Sequence, residues 1–142
     1  MVCLDTSVLV ALIRKDPEAM DGLRAEAEAG GVVSTTMVNL CELYSGAYGS
    51  NAPQKELERV EHLLTHVRLL GFDISAARRY GELVNDDAIK SQQIGDFDLI
   101  IASITLENNE ELVTRNLKHF GRVPGLIVKR WGYRRLRRNE PR

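Results

Sequence analysis

The sequence predicts an α/β fold with a central, mainly parallel sheet of four to five strands. Short apolar runs typical of strands alternate along the chain with longer segments that have helical periodicity. Strands that alternate with helices in this way favour a parallel sheet covered by helices on both faces. The 142 residues are enough for one domain with its own hydrophobic core.

Local signals define the individual elements. The predicted strands are short and apolar, and they cover residues 2–5, 32–34, 68–72, 111–114 and 126–129. The predicted helices begin at a proline or a short polar residue, and they cover residues 6–14, 17–29, 36–48, 53–67, 75–89 and 96–106. Either Thr35 or Thr36 is expected to cap the helix that ends near Tyr48.

The composition is that of an ordinary globular protein, with 44% hydrophobic and 27% charged residues, which argues against disorder. No apolar run approaches the roughly 20 residues of a membrane helix, and the start lacks the basic residues of a secretory signal. Cys3 and Cys41 lie in apolar segments, so we expect two buried free thiols in a reducing cytosol. We therefore expect a cytoplasmic protein without membrane association.

Charge divides the chain into two parts. Residues 130–142 contain six arginines and one acid, for a net charge of +5, whereas the remainder has a net charge of −6. We predict one domain over residues 1–131 and a flexible basic tail over residues 132–142. A basic tail on an acidic body suits an enzyme that acts on a polyanion, but a solvated terminus explains it equally well.

Asp5 is the most informative residue of the chain. It stands between two apolar runs, where the first strand should end and the first helix begin. Ligands bind at the carboxyl ends of the strands in open α/β sheets. An aspartate before a helix is also a common N-cap, which is the structural alternative. Thr6 and Ser7 add hydroxyl groups at the same helix end.

Glu42 and Asp98 are two further acids in apolar surroundings. Glu42 shares its predicted helix face with small residues, which would leave a hollow above it; an exposed or arginine-paired glutamate is the alternative. Asp96 and Asp98 point about 200° apart on a helix, so only one of them can face a common pocket. We assign Asp98 to the pocket and Asp96 to capping or support.

Thr114 and Asn116 end the fourth predicted strand and should border the same pocket, where Asn116 offers an amide oxygen. Isolated acids in apolar stretches are costly unless they are paired or bind a cation. Carboxylate ligands with open positions for water and phosphate describe a Mg²⁺ or Mn²⁺ site, which hydrolyses phosphate esters. We assign no role to His119, and His62 and His66 are interpreted as a solvated helix face.

Four segments in order resemble the motifs of PIN domains. They are LDTSVLV at 4–10, TMVNLCELYSGA at 36–47, IGDFDLIIA at 94–102 and LVTRNLKHF at 112–120; the ending VPGLIV at 123–128 also fits. The chain resembles in particular the VapC toxins of type II toxin–antitoxin modules, over nearly all of residues 1–131. It departs from the pattern at Asn116, where relatives often carry aspartate, and at Ser91, where they often carry glycine.

The resemblance implies a PIN-like α/β/α sandwich and a Mg²⁺- or Mn²⁺-dependent endoribonuclease that leaves 5′-phosphate and 3′-hydroxyl ends. It also implies a homodimer and inhibition by a VapB-type antitoxin. Carried over to this chain, Asp5 and Asp98 bind the metal, and Glu42 completes its ligands or orients the attacking water. Asn116 and Thr6 position water or phosphate, with Asp96 and Thr114 in support.

Two other functions compete with this hypothesis. Haloacid-dehalogenase-like phosphatases and response-regulator receivers also place an aspartate at a strand end. The phosphatase motif needs a second aspartate where this chain has Ser7. Receivers need an early pair of acids and a lysine near the end of a late strand, whereas here Asp5 stands alone and Lys129 comes very late. The second alternative is a non-catalytic PIN fold that binds RNA or protein, since the near-neutral chain gives little electrostatic attraction for RNA.

Overall fold

A computed structural model describes residues 1–131, which form a five-stranded sheet with helices on both faces. The strands are β1 (Val2–Leu4), β2 (Val33–Thr36), β3 (Arg68–Leu70), β4 (Glu111–Val113) and β5 (Val128–Lys129). The helices of this part of the chain are α1 (Thr6–Ile13), α2 (Pro17–Glu28), α3 (Met37–Tyr48), α4 (Pro53–Leu64), α5 (Ile74–Val84), α6 (Asp87–Lys90), α7 (Asp96–Glu107) and α8 (Leu117–Phe120).

All neighbouring strands are parallel, and their order in the sheet is β3-β2-β1-β4-β5. The first strand is therefore central, with Cys3 level with Ser34 on one side and Leu112 on the other. The chain builds outward from β1 to β3 and then returns to add β4 and β5. This reversal creates a crevice beyond the carboxyl end of β1, which is where ligands bind in such sheets.

Side chains of β1 alternate between two hydrophobic layers. Val2 and Leu4 pack with residues of helices α1 to α4, whereas Cys3 packs with residues of α5 and α7. Ile101 and Ile104 of α7 are completely buried in the second layer. The predicted three-layer α/β/α architecture with a parallel sheet is confirmed.

Several predicted elements differ from the structure. The helix predicted over 53–67 ends at Leu64, the strand predicted over 68–72 ends at Leu70, and the strand predicted over 126–129 begins at Val128. The helix predicted over 75–89 is two helices, α5 and α6, because Asp86 leaves the helix and its side chain caps Ala88. The strand predicted over 32–34 covers Val33–Thr36, and the side chain of Thr36 then caps α3 as one of the two expected caps. The short helix α8 was not predicted.

The two cysteines lie in different environments. Cys3 is buried, and this burial raises the pKa of its thiol to about 12, so it stays protonated and unreactive. Cys41 is exposed, so the prediction that both thiols are buried is wrong for Cys41. Leu40 and Leu43 of the same helix are buried in the hydrophobic core, which leaves Cys41 on the solvent-facing side of α3. Within residues 1–131, no helix has the length and apolar character needed to cross a membrane.

The described chain ends on the surface of α2. The ring of Trp131 lies so close to Gly22 that a β-carbon at position 22 would overlap it. Trp131 is partly buried there against the first hydrophobic layer. The predicted basic tail, residues 132–142, lies outside the described residues.

Candidate active site

Asp5 lies at the junction of the central strand and the first helix. Its backbone N–H donates to the carbonyl of Val113 at 2.9 Å, which extends the pairing of β1 with β4 by one residue. Its backbone position is the N-cap of α1, but its side chain makes no capping hydrogen bond. The structural alternative, in which Asp5 serves as a capping side chain, is therefore wrong.

The carboxylate of Asp5 is buried and surrounded by donors. One oxygen, Oδ1, accepts from Asn39 Nδ2 at 3.2 Å. The other, Oδ2, accepts from the hydroxyl of Thr114 at 2.7 Å and from that of Ser7 at 3.4 Å. These donors come from three different elements, so the orientation of the carboxylate is fixed by the tertiary fold.

Asn39 connects this carboxylate to the start of α3. It forms a capping box with Thr36, whose hydroxyl accepts from the Asn39 N–H at 3.1 Å. The same hydroxyl donates to Asn39 Oδ1 at 2.7 Å, which turns the amide nitrogen toward Asp5 and Thr6. Asn39 is completely buried. Sequence reasoning missed this residue, and its only signal was its position one turn before Glu42.

Glu42 lies on α3, half-buried at the rim of the crevice. Its Oε1 accepts from the hydroxyl of Thr6 at 2.6 Å. Burial raises the pKa of Glu42, and the charges of Asp5 and Asp98 raise it further against the opposing hydrogen bond from Thr6. Gly46, one turn further along the helix, is exposed, and a β-carbon there would meet no atom within 4 Å.

Asp98 lies in the first turn of α7 and contacts His119. The distance from Asp98 Oδ2 to His119 Nε2 is 2.8 Å. Burial raises the pKa of Asp98, and the charge of Asp5 adds to this, while His119 opposes it. His119 is thus a second site residue that the sequence did not identify, because its partner lies in a distant part of the chain.

The three predicted acids share one electrostatic environment. Asp5 and Asp98 both raise the pKa of Glu42, and Asp5 raises that of Asp98, so the crevice accumulates negative charge. Carboxylate oxygens are the donor type that a hard divalent cation prefers. In residues 1–131, no three acid, histidine or cysteine side chains are arranged so that they could hold a metal ion. Glu42 is instead engaged by Thr6, and Asp98 by His119.

Of the remaining predicted site residues, Thr114 contacts Asp5, whereas the side chains of Asn116 and Asp96 do not. Thr114 is completely buried and joins Asp5 to Asn116, whose N–H donates to the Thr114 hydroxyl at 3.0 Å. The side chain of Asn116 is exposed and does not cap α8. Asp96 is the first residue of α7 and accepts from the hydroxyl of Tyr80 at 2.8 Å. Gly95 is the N-cap, so the capping role predicted for Asp96 is wrong.

Comparison with known proteins gives a consistent result. The PIN domain family matches residues 2–126. Ribonuclease VapC2 of Rickettsia felis is 30% identical over 128 residues, covering 90% of this chain and 96% of the relative. The tRNA(fMet)-specific endonuclease VapC of Salmonella typhimurium has the same identity and coverage. The fold is also similar to the crystal structure of VapBC2 from Rickettsia felis bound to a promoter DNA fragment, with a TM-score of 0.85 and 30% identity over 92% of this chain and 99% of that chain.

Proposed function

Because this chain belongs to the PIN-domain family and groups with its VapC ribonucleases, we propose that it is a divalent-metal-dependent endoribonuclease and the toxin of a toxin–antitoxin pair. We take residues 1–131 as the catalytic domain. The observation that carries the proposal is the buried, donor-surrounded Asp5 beside two further acids whose pKa values it raises. Family membership also removes the phosphatase and receiver alternatives.

The chemistry of the donor set supports Mg²⁺ or Mn²⁺ as the cofactor. Asp5 and Asp98 would hold the ion, and Glu42 would complete its ligands or orient the attacking water. A bound divalent cation lowers the pKa of water and neutralises charge on phosphate oxygens. Rotation of Glu42 away from Thr6, and of Asp98 away from His119, would free the carboxylate oxygens that these partners now engage.

The chain's own residues supply positioning. Asn39 and Thr114 hold Asp5 in one orientation, so the carboxylate needs little rearrangement when it acts. Thr6, on release from Glu42, and the exposed amide of Asn116 would contact water or the scissile phosphate. Water attacks phosphorus opposite the leaving 3′-oxygen, which leaves 5′-phosphate and 3′-hydroxyl ends. Asp96 faces Tyr80, so its contribution would be to support α7.

The relatives suggest the substrate and partners. The Salmonella relative is named for cleavage of tRNA(fMet), so we take transfer RNA as the first substrate to test. The structural relative contains VapB and VapC together, which supports a VapB-type antitoxin as the partner. A homodimer through α3 and α4 would bury Tyr48, which is 69% exposed. We place the protein in the cytoplasm, where these RNA molecules are found.

The direct test is cleavage of purified transfer RNA by the purified protein with Mn²⁺ or Mg²⁺. Cleavage should stop with a chelator and with Asp5→Asn or Asp98→Asn. Calorimetric titration with Mn²⁺ should show one site that both variants lose. Equal cleavage by all samples would refute the assignment of the metal and its ligands. RNA binding without cleavage and without any cation site would favour a non-catalytic PIN fold.

A further inference from the structure

We propose that two exposed cations on and just after α8, Lys118 and Arg122, bind phosphates of the RNA substrate beside the strand-end site. We call these two residues the α8 patch. The inference rests on the proposed ribonuclease function and deepens it, because it assigns part of the surface that binds the substrate. It is argued from the charge of the segment, the contacts that hold α8, and the partners of the two side chains.

The charge of the chain changes sign at the end of the sheet that carries the candidate site. Residues 1–111 contain nineteen acids against nine lysines and arginines, for a net charge of −10. Residues 112–131 contain no acid and five basic residues, which are Arg115, Lys118, Arg122, Lys129 and Arg130. The earlier residues therefore repel a polyanion on balance, and the later segment attracts it.

Contacts on both sides hold α8 beside the candidate site. The backbone N–H of Asn116 donates at 3.0 Å to the hydroxyl of Thr114, which itself donates to Asp5 Oδ2 at 2.7 Å. Within the helix, His119 Nε2 lies 2.8 Å from Asp98 Oδ2. The exposed residues of α8 therefore border the site that contains the predicted acids.

Lys118 and Arg122 are neighbours on this short helical segment. The backbone stays helical through Gly121, whose N–H donates to the carbonyl of Leu117 at 2.7 Å. Residues four apart in a helix lie on the same side, with β-carbons about 5–6 Å apart. Both side chains are exposed. Like charges at this spacing repel each other, so an anion that binds between them relieves a cost that the free protein carries.

Neither cation of the α8 patch pairs with a carboxylate within residues 1–131. Lys118 makes no ion pair there, and Arg122 donates to the neutral amide oxygen of Gln92. A neutral partner positions the guanidinium without cancelling its charge. The fork of an arginine binds phosphate oxygens in pairs, and a lysine binds them as a point charge.

The other basic residues of residues 112–131 are engaged elsewhere. Arg115 donates to Asp16 at 2.5 Å, and Lys129 Nζ lies 3.1 Å from Glu111 Oε1. Arg130 lines a small cavity against α2. Within this segment, the α8 patch is therefore the part whose charge is exposed, free of an ion pair and adjacent to the site.

The test measures RNA binding in chelator, so that no cleavage occurs, with a fluorescent single-stranded RNA over a series of salt concentrations. Lys118→Gln combined with Arg122→Gln should weaken binding about 10-fold at physiological salt. The slope of log affinity against log salt should fall by about 1.4, because each phosphate contact to a single strand contributes about 0.7. Lys118→Arg combined with Arg122→Lys keeps both charges, so its slope should match that of the wild type.

A charge-matched control separates the position of the patch from the net charge of the protein. Lys55→Gln combined with Arg78→Gln removes two exposed cations from α4 and α5. Helix α4 packs on the opposite face of the sheet from α7. Arg79, next to Arg78, pairs with Glu107 at the far end of α7 from the site. This control should keep the wild-type slope.

A single substitution keeps the test decisive if the double variant does not fold, which thermal unfolding checks. Lys118→Gln leaves the contact between Arg122 and Gln92 in place. Its slope should fall by about 0.7, half the change expected of the double variant.

The outcomes separate the α8 patch from the ribonuclease function. An unchanged slope in the glutamine variants, or an equal loss in the control, overturns the patch, and continued RNA cleavage with Mn²⁺ then leaves the enzyme intact. Patch-dependent RNA binding by a wild-type protein that cleaves no RNA upholds the patch and overturns the enzyme. If the glutamine variants lose affinity for polyglutamate but not for RNA, the patch binds an acidic protein and the RNA assignment is overturned.

Discussion

The two edges of the parallel sheet each bury one carboxylate, in opposite surroundings. At the carboxyl edge, Asp5 is 6% exposed and accepts hydrogen bonds from Asn39 and Thr114. At the amino edge, Glu110 is 5% exposed, and neither of its carboxylate oxygens has a hydrogen-bond partner. Its ion pair with Arg68 is long, at 3.8 Å.

The comparison shows that hydrogen-bond donors, and not burial alone, separate the two acids. A buried carboxylate with fixed donors keeps one orientation, which suits a ligand for a cation. Burial without such donors raises the pKa of Glu110, and the charges of Arg68 and of the N-terminus only partly oppose this rise. The hydroxyl of Ser34 is likewise buried and unpaired. Hydrogen-bond donors therefore surround the buried carboxylate at the carboxyl edge of the sheet but not the one at the amino edge.

The sharpest way to break the comparison is to neutralise each acid in turn. Asp5→Asn should reduce RNA cleavage by more than about 100-fold, since loss of a ligand should exceed the 10–100-fold cost of losing a group that supports one. Glu110→Gln should leave cleavage unchanged, because it lies at the opposite edge. Initial rates with Mn²⁺ measure both, with thermal unfolding to check that each variant folds. Equal losses from the two variants would contradict the distinction.

Removal of a donor from Asp5 should have the next largest effect. Asn39→Ala deletes the amide that contacts Asp5 and Thr6, and we expect Mn²⁺ affinity to fall by about 10–100-fold. The measurement is calorimetric titration with Mn²⁺. Asn85→Ala is the matched control, because that amide donates to the carbonyl of Gly81 at an exposed helix end. Unchanged affinity in Asn39→Ala would show that the donors do not prepare Asp5 for the cation.

Thr114→Val tests the second donor with almost no change in volume. It removes the hydroxyl bonded to Asp5 Oδ2, so Mn²⁺ affinity should fall by about 10-fold. Thr105→Val is the control, because Thr105 is equally buried and its hydroxyl donates to the carbonyl of Ile101. Both variants should lose about 1 kcal/mol of stability in urea unfolding, but only Thr114→Val should bind the cation more weakly. Parallel effects on affinity would assign the loss to general destabilisation.

The smallest expected effect is on the pH dependence of stability at Glu110. Because the folded pKa lies above the ordinary value of 4.5, the native state retains a proton that the unfolded state releases. Wild-type stability should therefore fall as the pH rises from 4.5 through the folded pKa. Glu110→Gln removes this titration and should be more stable by about 1 kcal/mol at neutral pH, with no gain at pH below 4.5. Urea unfolding across this range measures the difference, and parallel profiles would contradict it.

The fold could be predicted, and the three acids could be chosen as candidates, because each leaves a local trace in the sequence. Strands and helices follow from apolar periodicity, and Asp5, Glu42 and Asp98 stand out as acids within apolar runs. Asp96 could not be separated from a cap by sequence alone, because a sequence locates the first residue of a helix only to within one or two positions.

The supporting residues could not be predicted because their roles depend on tertiary packing. Asn39 has the sequence signature of a helix start, and its contact with Asp5 exists only because α3 packs beside α1. His119 meets Asp98 across two separate helices. Glu110 lies in a polar loop segment, which is usually exposed, and only the position of β4 in the sheet buries it.

The central position of β1 has a consequence for the timing of synthesis. Asp5 emerges from the ribosome first, but its donor Thr114 emerges more than a hundred residues later. At roughly 5–20 residues per second, translation separates the two by on the order of ten seconds. An incomplete nascent chain therefore lacks the hydrogen bond from Thr114 to Asp5. If the proposed site is the catalytic one, the ribonuclease becomes dangerous to its own ribosome only after Thr114 has been made.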